Sequence, residues 1–387
     1  MRKVRSCRLI GRPGFVVLAL LGLLLGVGLS ACGSSSSSSS QSSGATTTEE
    51  GPKEAADGVS PKAVSTVEQY EKPITEWPGP TEPFTPPTGT KVTVITCSSQ
   101  GISCVRLAEG VEAAGETLGW QVKTVDGKGN PTVWNEAIQH AVSEGTEGIV
   151  LAAVVPGLAK GAVEAARKAN IPVIYGFGKE PEGTNLALDT DRGIAGQVLA
   201  DWTAVDSEGK AKVLVLNDNE FPELKEFSAD YAAELKKVCP GCEILGTPSF
   251  TLESFATDLP KITASELQSH PDLEYALVPY DSSVQFVQQG ARQAGKALKV
   301  VGLGGDPPTV QALEEGLESV SMGLPAEWIG WQAMDAIGRY LAGDKIPHAE
   351  VVQSLMTRSN ATEVAPPPGG YSGGFDYQGE YERLWGK

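Results

Sequence analysis

From Lys91 onward the chain alternates short β-branched runs with longer amphipathic ones, a pattern that builds a parallel sheet covered by helices and little else. The alternation predicts strands over 91–96, 121–125, 148–152 and 171–175, and helices over 105–118, 132–143 and 157–169. In the last of these helices Ala162, Val163, Ala166 and Ala169 fall at helical spacing, and Pro172 suits an early strand position. After Lys210 the series restarts, with strands over 212–216, 243–246, 274–278 and 298–302 and helices over 222–237, 258–268 and 284–294. Ala166-Arg167-Lys168-Ala169-Asn170 before one strand echoes Ala291-Arg292-Gln293-Ala294-Gly295 before its counterpart, so the two series read as a duplication. The expected fold class is α/β, in two Rossmann-like lobes with parallel sheets.

What precedes the alternation reads as an address and a tether. Arg2, Lys3, Arg5, Arg8 and Arg12 lead into an apolar stretch, 15–29, that is too short to span a bilayer comfortably and reads as a secretory signal peptide. It runs into Leu29-Ser30-Ala31-Cys32-Gly33, which resembles the lipobox of bacterial lipoproteins. That resemblance implies cleavage after residue 31 and a lipid on Cys32; the alternative is a secreted protein cut elsewhere. The serine run 34–40 can bury no apolar surface, and 49–90 is acidic and then rich in proline, so 32–90 is expected to be a spacer. Trp77 and Phe84 either pack onto the body or ride on a loose stalk.

Composition narrows the partners. At 387 residues and 41% hydrophobic content the chain is a folded protein with room for two domains, neither disordered nor a multi-span membrane protein. Lys and Arg number 31 against 48 Asp and Glu, for a formal charge of −17, so the phosphate attraction behind nucleic-acid binding is missing. Removing the five basic residues of the signal leaves 26 against 48, a more acidic exported body.

Six cysteines are present. Cys7 leaves with the signal and Cys32 is claimed by lipid, which leaves Cys97, Cys104, Cys239 and Cys242 in an oxidising compartment. Two disulfides are the simplest account, with Cys97 and Cys104 clipping the first strand-to-helix loop. Cys239-Pro240-Gly241-Cys242 could instead be a redox motif or half a zinc site. It sits between a helix and a strand rather than opening a helix, and His140, His270 and His348 are scattered.

Ligands of open parallel sheets sit beyond the carboxyl ends of the strands, and two lobes facing one another make a cleft there. The expected lining is Ser98, Ser99 and Gln100 after the first strand and Phe177 after the fourth. Asp218 and Phe221 follow the second lobe's first strand, Tyr280 and Asp281 its third, and Asp306 its fourth. Carboxylates take hydrogen bonds from hydroxyls and rings cover C–H faces, which together suit a polar ligand with an apolar side. The same rings can equally pack on their own lobes, and the same carboxylates can cap helices.

The body resembles the bacterial solute-binding proteins of the ribose and galactose type, which feed ABC importers and share the type I periplasmic binding protein fold. The resemblance runs from about Lys91 to Arg358. Leu107-Ala108-Glu109-Gly110-Val111, Leu118-Gly119-Trp120, Ala169-Asn170-Ile171-Pro172-Val173-Ile174, His270-Pro271-Asp272-Leu273, Val300-Val301-Gly302 and Met322-Gly323-Leu324-Pro325 carry it, as does a tail ending in Leu384-Trp385-Gly386. It implies two lobes joined by a multi-strand hinge: an N-terminal lobe over 91–205 completed by about 324–345, and a C-terminal lobe over 206–323 completed by about 346–360. A tail, 361–387, follows. It also implies a small-molecule ligand, a permease or alternatively a membrane sensor as partner, a monomer, and a place on the outer face of the cytoplasmic membrane. Where that family clamps its sugar with an Asp-Arg, an Asn, an Asp and a Gln, this chain has Phe177-Gly178, Tyr280, Gly304 and a position near Gly323. Those replacements favour a ligand more aromatic or more apolar than a plain aldose, or a modified sugar.

Other classes find less support. Gly370-Tyr371-Ser372-Gly373-Gly374 matches G-x-S-x-G, but three prolines precede it, more glycine surrounds it and no His follows for a triad. Gly176-Phe177-Gly178 and Gly302-Leu303-Gly304-Gly305 complete no dinucleotide fingerprint. No enzyme activity, cofactor or metal is expected, and Trp328 and Trp331 are expected in the core.

Overall fold

The computed structural model describes residues 58–179, 183–347, 350–366 and 368–387. The expected signal peptide, the serine run and Cys32 lie outside the described residues, as does His348. A first helix, α1 (Pro61–Tyr70), precedes the lobes. Strands β1 (Lys91–Thr96), β2 (Gln121–Asp126), β3 (Gly148–Ala152), β4 (Val173–Gly176) and β5 (Leu186–Leu188) follow, with helices α2 (Ile102–Leu118), α3 (Pro131–Ser143) and α4 (Lys160–Lys168) between them. These strands form one parallel sheet in the order β2-β1-β3-β4-β5. Every residue of β3 is buried, whereas β2 at the edge is half open, as expected where helices cover both faces of the centre only.

Helix α5 (Arg192–Asp206) leads to the second series: β6 (Lys212–Val215), β7 (Asn217–Asp218), α6 (Pro222–Val238), β8 (Glu243–Gly246), β9 (Ser249–Phe250), α7 (Phe255–Ser269), β10 (Tyr275–Leu277), α8 (Val284–Gln293), β11 (Lys299–Gly304), α9 (Pro307–Glu315) and β12 (Val320–Gly323). Then come α10 (Ala326–Ala342), β13 (Leu355–Thr357), α11 (Ala361–Val364) and α12 (Tyr377–Trp385). The second sheet runs β13-β12-β11-β10-β6-β8, with β13 antiparallel and β7 paired with β9 in a small ribbon. Without β13, its order is that of the first sheet read strand for strand, so the duplication extends to topology.

Local chemistry explains several boundaries. Asn130 accepts from Thr132 N and Pro131 occupies the first turn of α3, while Gly119 at φ 71 closes α2 in the left-handed region. The predicted helix over 157–169 begins only at Lys160, because Pro156–Ala159 forms a 3-10 turn and Ala159 has a non-helical backbone.

Two expectations about organisation are corrected. Helix α5 was expected in the N-terminal lobe, but Ala195, Val198, Leu199 and Ala204 join the core of the second sheet beside Val213, Phe227 and Val301. The 32–90 stretch is not spacer throughout. Val59, Ala63 and Val67, spaced four apart, make an apolar stripe that seats α1 on α5 of the second lobe. Further on, Trp77 packs on Trp328 and Tyr381 of the first lobe at 5.5 and 5.7 Å, and Arg339 lies over the Phe84 ring at 4.4 Å. The tail, 361–387, packs on the body: Tyr371 is fully buried, and Trp385 of α12 stacks on Trp331 of α10 at 5.3 Å. The motif over 370–374 is a loop without strand or helix.

The chain crosses between lobes before α5, on both sides of α10 and again between α11 and α12. Trp328 and Trp331 on α10 are buried in the first lobe's core.

Candidate functional site

The two sheets present their carboxyl ends to one another, and a cavity of about 80 Å³ lies between them. That is room for on the order of six waters, or for one small ligand. The first lobe contributes Gly101 and the first turn of α2 to Cys104, Ala153 after β3 and Phe177 after β4; the second contributes Phe221, Glu223, Leu252, Tyr280, Leu303 and Asp306, and Arg192 closes the hinge side.

Four of the expected residues reach this cavity: Phe177, Phe221, Tyr280 and Asp306. Phe177 has a left-handed backbone, φ 69, held by its N–H on Leu188 O at 2.8 Å, and the Arg192 guanidinium lies 5.7 Å from its ring centre. A bulky residue in that region is strained, and here the strain aims the ring into the cleft. Tyr280 is propped edge-on by Phe250 and Phe255 at 5.8 and 5.7 Å.

The other expected residues sit elsewhere. Ser99 and Gln100 are exposed, and Ser98 turns back to accept from Gln100 N at 3.2 Å. The loop folds over, so Gly101 and the first turn of α2, Ile102 to Cys104, face the cavity instead. Asp281 points inward beneath the site, where one oxygen accepts from Gly305 N, Thr309 Oγ1 and Ser321 Oγ at 2.6, 2.8 and 2.7 Å. Burial raises the carboxyl of Asp281 and, further, that of its buried neighbour Glu318. Asp218 stands behind Tyr280, whose hydroxyl donates to it at 3.4 Å, and burial pushes its carboxyl up to about 7. Asp306 is at the wall but already engaged, accepting from Ser103 Oγ and pairing with Arg106.

Arg192, Glu223 and the cysteines are among the lining residues that sequence reasoning missed. Arg192 donates Nε to both Asp189 oxygens at 3.0 and 2.8 Å, and Asp191 caps the helix that carries it by accepting from Ile194 N. The Asp-x-Asp-Arg run before an apolar helix was the available signal. Glu223 accepts from Tyr175 OH of the first lobe at 3.3 Å, and burial raises its carboxyl.

The charge balance follows. Arg192 is matched by Asp189, and Arg106 by Asp306 and Glu327, so the wall offers no unmatched cation while Glu223 remains. Such a cavity disfavours anions and suits a neutral solute with an apolar face. Cys239 and Cys242 are bonded to each other where α6 ends, away from the cavity. Cys97 and Cys104 face one another as thiols at 2.7 Å. Among the described residues, no group of three or more His, Cys, Asp or Glu is placed to hold a metal.

The chain matches the periplasmic binding protein domain family over residues 93–345, and it belongs to that family. Its fold is that of the type I periplasmic binding proteins. The ribose import binding protein of Escherichia coli is 22% identical over 249 residues, covering 62% of this chain and 81% of the relative. Among solved structures, an ABC transporter solute-binding protein of Mycobacterium smegmatis with bound glycerol aligns with a TM-score of 0.67 at 19% identity, covering 73% of this chain and 99% of that one. One from Burkholderia graminis, in complex with D-arabinose, aligns at 0.65 and 18% identity, covering 71% and 97%.

Proposed function

We propose that this chain is an extracytoplasmic solute-binding receptor that captures one small molecule by closing its lobes and passes it to the permease of an ABC importer. The observation that carries the reading is the cavity enclosed by strand ends of both sheets, with bonds such as Tyr175 to Glu223 and Lys179 to Glu226 crossing from lobe to lobe around it. The relatives named above bind ribose, arabinose and glycerol, which supports a sugar or sugar-like solute. Phe177, Phe221 and Tyr280 shift that expectation toward a solute with a larger apolar or aromatic face than a plain aldose. Lipid on Cys32 would hold the monomeric receptor at the outer face of the bacterial cytoplasmic membrane. Binding without conversion fits a wall whose ionisable groups are paired or buried.

The test is a thermal-shift screen of the chain starting after Cys32 against sugars, polyols, nucleosides and aromatic acids, since saturating ligand raises the midpoint by mass action. Phe177→Ala and Tyr280→Ala should abolish the rise seen with the best solute. Tight binding of unmodified hexoses by both variants as by the parent would refute the aromatic-face reading, and steady conversion of a solute to product would refute the receptor reading.

A further inference from the structure

The β1–α2 loop supplies one wall of the cavity, and a cysteine stands at each of its ends. Cys97 follows β1, and Cys104 lies in the first turn of α2; they are 1% and 6% exposed. Their sulfurs, 2.7 Å apart, are nearer than two non-bonded sulfur atoms rest, and both residues line the cavity. Gly101 lies over the pair: a Cβ there would sit 3.3 Å from Cys104 Sγ and 3.5 Å from Cys97 Sγ, so the loop passes closely over both sulfurs. We propose that Cys97 and Cys104 are a modification site, a dithiol that oxidises to a disulfide and so fixes the ligand-facing loop in its cavity-lining shape.

Both anchor points of the loop are built to register that bond. Cys97 is tied to the sheet through its N–H on Ala152 O at 2.8 Å, and its carbonyl accepts from Gly129 N and Trp134 Nε1 at 2.7 and 3.0 Å. Cys104 adjoins Ser103, whose hydroxyl donates to Asp306 across the cleft at 3.0 Å, and is two residues from Arg106. A disulfide therefore couples the end of the first sheet to the helix start that carries the groups bridging the lobes. The loop's own bonds are few, Gly101 N to Ser98 O and Gln100 N to Ser98 Oγ, both at 3.2 Å. As two buried thiols the pair offers only weak donors and acceptors in place of a covalent link.

The chemistry is a two-electron exchange. Each thiol loses its proton, one sulfur–sulfur bond forms, and the two electrons and two protons pass to an external disulfide, which leaves as two thiols after a mixed-disulfide stage. Because the sulfurs lie under the second lobe, the attacking partner must reach them with the lobes apart, and closure protects whichever state was formed.

Trypsin reads the site separately from Cys239 and Cys242, because cleavage after Lys91 and Arg106 releases 92–106 with both cysteines and no others. The full chain starting after Cys32 is incubated with oxidised or reduced glutathione, unfolded in N-ethylmaleimide and digested. After oxidation the 92–106 peptide should carry no maleimide and be lighter by two hydrogens; after reduction it should carry two maleimides. Hydrogen exchange on the same samples should show the amides of this peptide exchanging on the order of tenfold faster in the reduced protein. A Cys97→Ser, Cys104→Ser double variant should exchange like the reduced parent in either buffer, and if it fails to fold the comparison of the two parent states still decides. A peptide that takes up two maleimides after oxidation overturns the proposal, as does exchange that ignores the redox state. Neither readout needs the solute, so a failed ligand screen and a failed disulfide are separate outcomes.

Discussion

Arg106 on α2 and Asp306 at the start of α9 meet at 3.0 Å across the cleft, each with its side chain only 3% exposed. The same guanidinium donates to Glu327 through Nε and Nη2 at 2.9 and 2.6 Å and to Tyr371 O at 3.0 Å. One buried cation thus holds a helix of the first lobe, a loop of the second, the start of α10 and the segment before α12. Closure and hinge are joined at this point.

Arg106→Ala leaves two carboxylates without their cation in a nearly dry setting, which costs about 3–5 kcal/mol when one partner of a buried pair is removed. Arg106→Lys should recover only part, because an ammonium cannot reproduce the planar fork to Glu327. Urea denaturation measures both losses, and solution scattering should show a larger radius of gyration for the Ala variant as the lobes part. An Ala variant within 1 kcal/mol of the parent at unchanged radius would dispose of the idea.

Acidic groups buried in the second lobe set the pH dependence. Burial pushes Asp218 to about 7 from an ordinary 3.8 and, with Glu234 nearby, Asp201 to about 6; Asp281 and Glu318 are raised as well. The folded chain therefore holds protons that the unfolded chain has released above pH of about 4, and stability falls as pH rises through that window. Asp218 alone contributes a loss on the order of 2–4 kcal/mol between pH 4 and 7.5. Thermal midpoints should decline from pH 5 to pH 8, and Asp218→Asn, which mimics the protonated acid, should flatten the decline. A midpoint that climbs over this range contradicts the assignment.

Why some of this was legible and some not follows from particular residues. Strands β1 and β3 begin and end where the sequence predicts, because runs such as Val92 to Ile95 are buried on both faces and need no distant partner to be recognised. Helix α5 went to the wrong lobe, since the contact that places it, with α6, joins segments whose pairing no local pattern encodes. Loop position brought Phe177, Phe221 and Tyr280 to the cavity wall, as expected of residues just past strand ends. It failed for Asp281, which stands at the end of β10 like a ligand residue. Three donors from a loop, a helix and a strand lying beyond it in the chain turn it inward. Asp306 is claimed by an arginine 200 residues away.

Phe177 offers a separation of backbone from side chain. Its φ of 69 costs any residue with a Cβ about 1–2 kcal/mol, and glycine escapes that cost. Phe177→Ala and Phe177→Gly both lose the buried ring, at about 3–5 kcal/mol. Contrary to the usual order, the Gly variant should then be the more stable of the two by about 1 kcal/mol in chemical denaturation. Finding Ala more stable would mean the left-handed backbone at this position carries no strain.

The interface of α2 with α10 rests on two glycines that face the opposite backbone. A Cβ on Gly110 would come within 2.3 Å of Glu327 O, and one on Gly330 within 2.5 Å of Leu107 O. Both obstacles are carbonyls of the partner helix, so no side-chain rotation relieves the contact and the helices must separate. Alanine is the better helix former by about 1 kcal/mol, and in an exposed helix Gly→Ala would stabilise. Here overpacking should outweigh it, with a net loss of about 1–3 kcal/mol for either Gly110→Ala or Gly330→Ala by urea denaturation. Separation also lengthens the bonds from Arg106 on α2 to Glu327 on α10, so a second loss should follow at the hinge. Combining Gly110→Ala with Arg106→Ala should therefore cost less than the two single changes added together, as expected when both act on one contact. Full additivity would show that the helix spacing and the buried cation are independent.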